Sequence, residues 1–249
     1  MKIALFIPCF IDAYFPEVGI ATLELLERLD CDVDYPLTQT CCGQPMSNSG
    51  CQRDAAGCEA LFVRNFSGYD HIVAPSASCV HHVREHLDAI GQTDEVLQVR
   101  RNTYELVDFL HDVLQVKAFP WAAFPHKVGL HNSCTALRSL GHASVSEIDE
   151  PPFSKPMALL SAVKDIQFTH PRRPDECCGF GGTFAIKNAE TSTAMMADKI
   201  RHILNSGAEI CTAGDNSCLM HIGGGLARLR AGVRTVHLAE ILAATESAG

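Results

Sequence analysis

The chain has 249 residues, of which 47% are hydrophobic and 20% charged. This composition argues against disorder, and the length allows one large or two modest domains with full cores. The net charge of -9 argues against nucleic acid or an anionic membrane as a partner. The first apolar run, residues 3–8, is too short for a secretory leader or a transmembrane segment, so we expect a cytoplasmic protein.

The first half of the chain alternates between predicted strands and helices. Unbroken apolar runs are typical of strands buried on both faces, whereas apolar residues at a spacing of three and four indicate helices. The predicted strands are 3–7, 31–35 and 71–74, and the predicted helices are 17–29, 51–66, a segment ending near 89, and 103–114. Such alternation implies parallel βαβ units.

The second half repeats this order. Its predicted strands are 128–130, 166–169, 209–212 and 234–237, and its predicted helices are 134–140, 156–163, 189–205, 218–228 and 238–244. We expect an exposed loop at 141–152 and a frayed tail at 245–249. The fold class is therefore α/β, with two tandem, pseudo-symmetric halves that each form a small parallel, Rossmann-like βαβ sheet with helices on both faces. The predicted domains are 1–119 and 120–249.

A cysteine pattern occurs once in each half. It consists of a single cysteine, an adjacent pair followed by glycine, and a later single cysteine. The eight positions are Cys9, Cys41, Cys42 and Cys79 in the first half, and Cys134, Cys177, Cys178 and Cys218 in the second. Flanking segments match as well, since residues 2–9 correspond to 127–134. The duplication indicates an architecture of two equivalent sites.

The adjacent cysteines are better interpreted as metal ligands than as disulfides. Their Cα atoms lie ~3.8 Å apart, whereas relaxed disulfides need roughly 4.4–6.8 Å. The glycine after each pair permits positive φ, so that the chain can turn tightly and point backbone N–H groups at whatever the two sulfurs hold. Each single cysteine follows a predicted strand, and ligands of parallel sheets bind beyond the carboxyl ends of strands. We therefore expect each set of four to converge.

The other cysteines and several polar residues carry weaker signals. His82 and His221 follow Cys79 and Cys218 by three residues, on the same helical face, and could donate to cluster sulfur or accept a proton. An ordinary solvated histidine is an equally good interpretation, and His131 is a weaker candidate. The cysteines outside the pattern are expected in the core, with Cys51 the most plausible extra ligand; they are Cys31, Cys51, Cys58 and Cys211.

The eight cysteines fit an iron–sulfur cluster better than zinc. Structural zinc sites usually use short Cys-x2-4-Cys knuckles, and none of the eight forms one. A pair of neighbouring thiolates can reach two irons of a larger cluster. Zinc remains the alternative cofactor, in a non-catalytic scaffold. The glycine-rich segments do not follow a strand in the dinucleotide-binding form, so no nicotinamide or flavin motif is evident. The residues therefore point to an electron-transfer subunit rather than a complete enzyme. A self-sufficient thiol–disulfide reductase is a further alternative.

These motifs resemble those of the cysteine-rich (CCG) domain family over nearly the whole chain. The family includes the cysteine-rich subunit of heterodisulfide reductase and iron–sulfur subunits of glycolate and glycerol-3-phosphate oxidation. The strings around Cys79, 177–182 and 214–218 are most similar to its lactate-utilisation members. The resemblance implies a cytosolic oxidoreductase component with two 4Fe–4S clusters. It would act with other subunits, including a ferredoxin-type iron–sulfur protein, in a complex that oxidises L-lactate to pyruvate. The alternative is a subunit of a different oxidoreductase, for glycolate oxidation or of the heterodisulfide reductase type.

The chain departs from the family pattern at two positions. In the heterodisulfide reductase member each last motif is Cys-x-x-Cys, and five cysteines hold a non-cubane cluster. Here Ser76 and Asp215 occupy the first position of that motif, and they could instead support the ligands from outside the cluster. Cubane clusters and non-cubane clusters with an oxygen ligand are both open. For a carboxylate substrate or a partner, Arg138 and the pair Arg172-Arg173 are candidates, although ordinary surface charge is the more economical interpretation.

Overall fold

The computed structural model describes residues 1–245. The chain divides into two units, Met1–Phe109 and the residues from Leu110 onward, and each contains one four-stranded parallel sheet. The α/β prediction with two similar halves is confirmed. Among the described residues no helix combines the length and the apolarity that crossing a bilayer requires.

The sheet of the first unit has the strand order β2-β1-β3-β4. Its strands are β1 (Ile3–Leu5), β2 (Val33–Asp34), β3 (His71–Ala74) and β4 (Thr103–Glu105). The longer helices are α2 (Pro16–Arg28), α4 (Gln52–Phe66), α5 (Ala77–His86) and α6 (Asp94–Arg101), and the short ones are α1 (Cys9–Tyr14), α3 (Gln44–Asn48) and α7 (Leu106–Asp108), which continues into a π-helical turn at Phe109–Val113. Central β1 is fully buried because it is covered on both faces.

The second unit repeats this topology with the order β6-β5-β7-β8. Its strands are β5 (Lys127–Leu130), β6 (Gln167–Thr169), β7 (Ile210–Ala213) and β8 (Arg234–His237). Its helices are α8 (Cys134–Arg138), α9 (Lys155–Leu160), α10 (Thr183–Lys187), α11 (Ala189–Asn205), α12 (Asn216–Arg228) and α13 (Leu238–Ala243). In each sheet the chain passes from the first strand to the neighbour on one side and then crosses over to the strand on the other side, so right-handed crossovers place helices on both faces.

One predicted element was wrong in type. The segment 103–114 was expected to be one helix, but its first three residues form β4, which pairs with β3 through Ile72–Thr103 and Ala74–Glu105. Both polar side chains of this strand are buried with partners: Thr103 Oγ1 donates to the Val99 carbonyl at 2.7 Å, and Glu105 accepts from the Val107 N–H at 2.6 Å. Pairing across the sheet therefore outweighs the local helical pattern.

The remaining differences are missed helices and shifted ends. Helix α6 was not predicted although Thr93 caps it through the Val96 N–H, and neither were the short helices α3 and α10. The predicted strand 31–35 is limited to Val33–Asp34. Strands 71–74 and 234–237 and helix 189–205 have the predicted bounds, and the other predicted elements are present with shifted ends. Thr245, where fraying was expected to begin, pairs with Ala122 in an isolated bridge, and the rest of that tail, 246–249, lies outside the described residues.

Candidate metal centres

The single cysteines follow the two central strands of each sheet, from which the chain continues towards opposite edges. Cys9 begins α1 after β1, and Cys79 lies in the first turn of α5 after the neighbouring strand β3. In the second unit Cys134 begins α8 after β5, and Cys218 lies in the first turn of α12 after β7. The crevice between two such strands, whose connections diverge, is where open α/β sheets bind ligands.

A chain of contacts joins the four thiols of the first unit. The thiol of Cys41 lies between those of Cys9 and Cys42, and Cys42 also contacts Cys79. The hydrogen bonds from Cys42 and Cys9 hold the pKa of Cys41 well below its ordinary value, whereas the same contact with Cys41 raises the pKa of Cys9. The neighbouring thiols therefore stabilise negative charge on the Cys41 sulfur.

The second unit has an equivalent chain. Cys134 contacts Cys177, which neighbours Cys178, and Cys178 contacts Cys218. The contact with Cys177 raises the pKa of Cys134. For Cys178 the contact with Cys177 lowers the pKa, but the contact with Cys218 and burial outweigh it and the pKa is raised. These thiols are strongly desolvated, since Cys178 and Cys218 are only 2% and 7% exposed.

The glycine after each pair directs its backbone towards sulfur. Gly43 and Gly179 adopt φ values of 96° and 89°, in the left-handed region that glycine favours. Their N–H groups donate to the sulfurs of Cys41 and Cys177 at 3.4 and 3.3 Å. The predicted positive φ is confirmed, and each turn presents its backbone donor to a sulfur of the pair; donation to a bound cluster stays a prediction.

His131 is the residue whose importance the sequence underestimated. Its ring, 2% exposed, lies at the end of β5, and its ligand atom and the sulfurs of Cys178 and Cys218 all lie within 4.8 Å of one another. Burial, with a smaller effect of the charge on Lys199, lowers the pKa of His131 to about 3. The available signal was the repeat itself, in which Phe6 corresponds to His131.

The two histidines predicted to support the clusters occupy different surroundings. His82 is buried with its Nε2 4.0 Å from Glu59 Oε1, and burial lowers its pKa to about 4. His221 Nε2 lies 3.3 Å from Ser192 Oγ, which donates to the Gly179 carbonyl at 2.8 Å. His221 is thus linked to the Cys-Cys-Gly turn through Ser192, and direct donation to sulfur stays a prediction for both histidines.

Ser76 and Asp215 are the residues that precede the two ligand-bearing helices. Ser76 is the N-cap of α5, with its Oγ 3.3 Å from Ser78 Oγ. Asp215 caps α12 by accepting from the Ser217 N–H at 3.2 Å and from its hydroxyl at 2.7 Å. These contacts give Asp215 a structural role in starting the helix that carries Cys218.

Two of the three arginine candidates, Arg138 and Arg173, have local partners. Arg138 forms an ion pair with Glu147 and donates to the Asp175 carbonyl at 3.1 Å, while Arg173 pairs with Glu176 at 3.4 Å. All twelve cysteines are free thiols. Of the four outside the pattern, Cys211 is fully buried in the core of the second unit as expected, Cys31 and Cys58 are half-buried, and Cys51 is exposed.

Each set has the chemistry that a thiophilic metal centre needs. Four converging thiols provide soft ligands, and the glycine N–H groups stabilise the thiolate charge. The buried ring nitrogens of His131 add donors that lack hydrogen-bond partners among the described residues. The residues present therefore fit a bound iron–sulfur cluster, and the same donor types also fit zinc.

Comparison with known proteins identifies both halves. The family model described as a cysteine-rich domain (CCG) matches residues 3–84 and 128–223. Lactate utilization protein A of Bacillus subtilis (strain 168) is 41% identical over 246 residues, covering 97% of this chain and 99% of that protein. Lactate utilization protein A of Geobacillus thermodenitrificans (strain NG80-2) is 38% identical, with 97% and 98% covered.

Solved structures add little. A glutamate racemase from Francisella tularensis matches with a TM-score of 0.34 and 11% identity, covering 97% of this chain and 77% of that chain. At such a TM-score the similarity bears on neither the fold nor the function.

Proposed function

The chain belongs to the cysteine-rich (CCG) domain family, and from this premise we propose that it is the iron–sulfur electron-transfer component of a complex that oxidises L-lactate to pyruvate. The observation that carries the proposal is the duplicated set of four contacting thiols at the divergence point of each sheet. The lactate assignment draws on the names of the relatives, which are lactate utilization proteins.

Each set would hold one 4Fe–4S cluster within its own domain, 1–119 or 120–249. The ligands would be Cys9, Cys41, Cys42 and Cys79 in the first, and Cys134, Cys177, Cys178 and Cys218 in the second. A bound cluster supplies reversible one-electron transfer. The chain contributes the thiolates and the Gly43 and Gly179 N–H donors that tune them. Cys42, Cys178 and Cys218 are buried, whereas Cys9 is exposed at the edge of the first site.

The chain would act as a subunit rather than alone. Oxidation of lactate needs a hydride or two-electron acceptor, and the sequence has no flavin or nicotinamide motif that could provide one. Arg138, a candidate for binding a carboxylate, is already paired with Glu147. We therefore propose that substrate oxidation takes place on partner subunits and that a ferredoxin-type iron–sulfur protein is one of them.

Gene deletion tests this function. A strain without the gene is grown on L-lactate, D-lactate, glycolate or glycerol as sole carbon source, and is complemented with the wild-type gene, Cys42→Ala or Cys178→Ala. The expected result is loss of growth on L-lactate alone, restored only by the wild type. Normal growth on L-lactate in a strain lacking any other lactate dehydrogenase would eliminate the proposal.

A further inference from the structure

At one equivalent position the two centres carry side chains of different chemistry, Phe6 in the first unit and His131 in the second. The Phe6 N–H donates to the Val73 carbonyl of β3 at 2.9 Å, and the His131 N–H donates to the Thr212 carbonyl of β7 at 2.8 Å. Each residue therefore extends the first strand of its sheet by an equivalent backbone hydrogen bond to the third strand of that sheet. The backbone is equivalent, and only the side chain differs.

Phe6 is a core residue of ordinary kind. Its ring makes edge contacts with Phe62 and Phe66, with centroids 4.9 and 5.5 Å away, and it is fully buried. Phenylalanine satisfies this position because it has no polar atom to pair. The first unit therefore shows that its fold requires only an apolar ring here.

His131 places polar atoms where the first unit has none. The side chain is only 2% exposed, and neither Nδ1 nor Nε2 has a hydrogen-bond partner among the described residues. An unpaired buried imidazole is costly, and such a group in a native protein needs an explanation. The second unit retains it although the equivalent position of the first unit accepts phenylalanine.

The explanation lies in the position of the ring. A ring nitrogen of His131 and the sulfurs of Cys178 and Cys218 lie within 4.8 Å of one another. Nitrogen and sulfur ligands of one tetrahedral metal ion lie about 3.5 Å apart, given bonds of about 2.0 and 2.3 Å. A small side-chain adjustment would bring the three atoms to that separation, and a neutral imidazole has a lone pair for the metal.

We infer that His131 is a nitrogen ligand of the metal centre of the second unit, together with Cys178 and Cys218. The inference rests on the proposed function and adds to it. With His131 the second centre has five protein donors, one more than the four irons of a cubane bind, which favours a non-cubane cluster there. Among the described residues no histidine of the first unit lies in an equivalent group with two of its cysteines. A neutral imidazole adds no negative charge, and centres with imidazole ligands are easier to reduce than those held by thiolates alone. The buried ammonium of Lys199, held by the Arg173 carbonyl at 2.9 Å, acts on Cys178 in the same direction. The second centre is therefore the more easily reduced one.

The test is pulsed electron paramagnetic resonance of the full chain, purified without oxygen, reduced, and labelled with ¹⁵N-histidine. A bound imidazole gives a strong nitrogen hyperfine coupling that changes with the isotope. His131→Phe, which copies the first unit, should abolish this coupling, and His131→Asn should do the same if the phenylalanine variant does not fold. His202→Gln is the matched control, because His202 on α11 pairs with Glu176 and its replacement should leave the coupling intact.

Iron and sulfide analysis of the same samples distinguishes a failure of the proposed function from a failure of the His131 inference alone. Protein that carries no iron and sulfide contradicts the proposed function and this inference with it. Iron-loaded wild type without the strong coupling, or His131→Phe that retains it, contradicts the inference alone. A potentiometric titration adds a second readout: His131→Phe should lower the potential of one of the two centres and leave the other unchanged.

Discussion

Ser192 Oγ donates a hydrogen bond to the carbonyl oxygen of Gly179 at 2.8 Å. The bond is buried, and it fixes the Cys-Cys-Gly turn of the second unit against the start of α11, where Ser192 lies. The backbone of Ser192 also packs against Gly179, because a Cβ added to Gly179 would lie only 2.7 Å from the Ser192 carbonyl oxygen. The turn that holds two sulfurs is thus packed directly on α11.

This packing predicts that Gly179→Ala is more harmful than Gly43→Ala. Both glycines have positive φ, but a Cβ at Gly43 would meet nothing closer than 3.4 Å. Strain at positive φ costs about 1–3 kcal/mol at either position, and Gly179→Ala adds a backbone clash. The midpoint of thermal unfolding should fall further for Gly179→Ala than for Gly43→Ala. Gly179→Ala should also lose metal from the second centre. Equal losses in the two variants would argue against the close contact with α11.

Asp215 should act as a helix cap rather than as a metal ligand. Asp215→Asn keeps an acceptor for the Ser217 N–H and should retain both stability and metal, whereas Asp215→Ala should cost about 1 kcal/mol. Denaturant unfolding and metal analysis of the two variants measure these effects. If Asp215→Asn lost iron while remaining folded, the carboxylate would instead be a ligand.

A hydrogen bond in the first unit predicts a specific alkaline instability. Tyr69 donates to Asp34, and this bond, with burial, raises the pKa of the phenol from 10.0 to about 12. Because the folded pKa is the higher one, the contribution is complete below pH 10 and is lost as pH rises towards 12. The free energy of unfolding of the metal-free wild type should therefore fall in that window by about 2 kcal/mol more than that of Tyr69→Phe.

Parallel pH curves for wild type and Tyr69→Phe would contradict this assignment. The comparison is well matched, since the variant keeps the ring on which the Lys2 ammonium lies, 4.3 Å from its centroid. Lysines and other tyrosines that titrate in the same window are common to both proteins, so their effects cancel.

The sequence predicted the architecture because the duplicated motif and the buried strands supply two independent signals. It failed at Thr103–Glu105, where three residues are too few to establish an alternating pattern and were included in an amphipathic helix predicted over 103–114. Only the fold reveals that Thr103 and Glu105 have buried partners. The equivalent strand Arg234–His237 was predicted with the bounds that the structure shows, with a separate helix predicted after it.

The candidate site, like the fold, could be predicted only in part. The eight cysteines could be grouped from spacing alone, and the strand ends explain why they meet. The position of His131 could not be judged in the same way, because a single histidine before a cysteine is common and its two nitrogens become conspicuous only when burial leaves them without partners among the described residues. The role of Ser192 was also missed, since nothing in its local sequence indicates a contact with Gly179.

Metal and sulfide analysis of anaerobically purified protein tests the central claim most directly. The wild type should contain about eight irons and a similar amount of sulfide per chain, as two four-iron clusters require. Cys42→Ala and Cys178→Ala should each retain about half, and Cys31→Ala, at a half-buried position outside the motif, should retain all of it. Stoichiometric zinc without sulfide in the wild type, or full iron in both motif variants, would contradict the account.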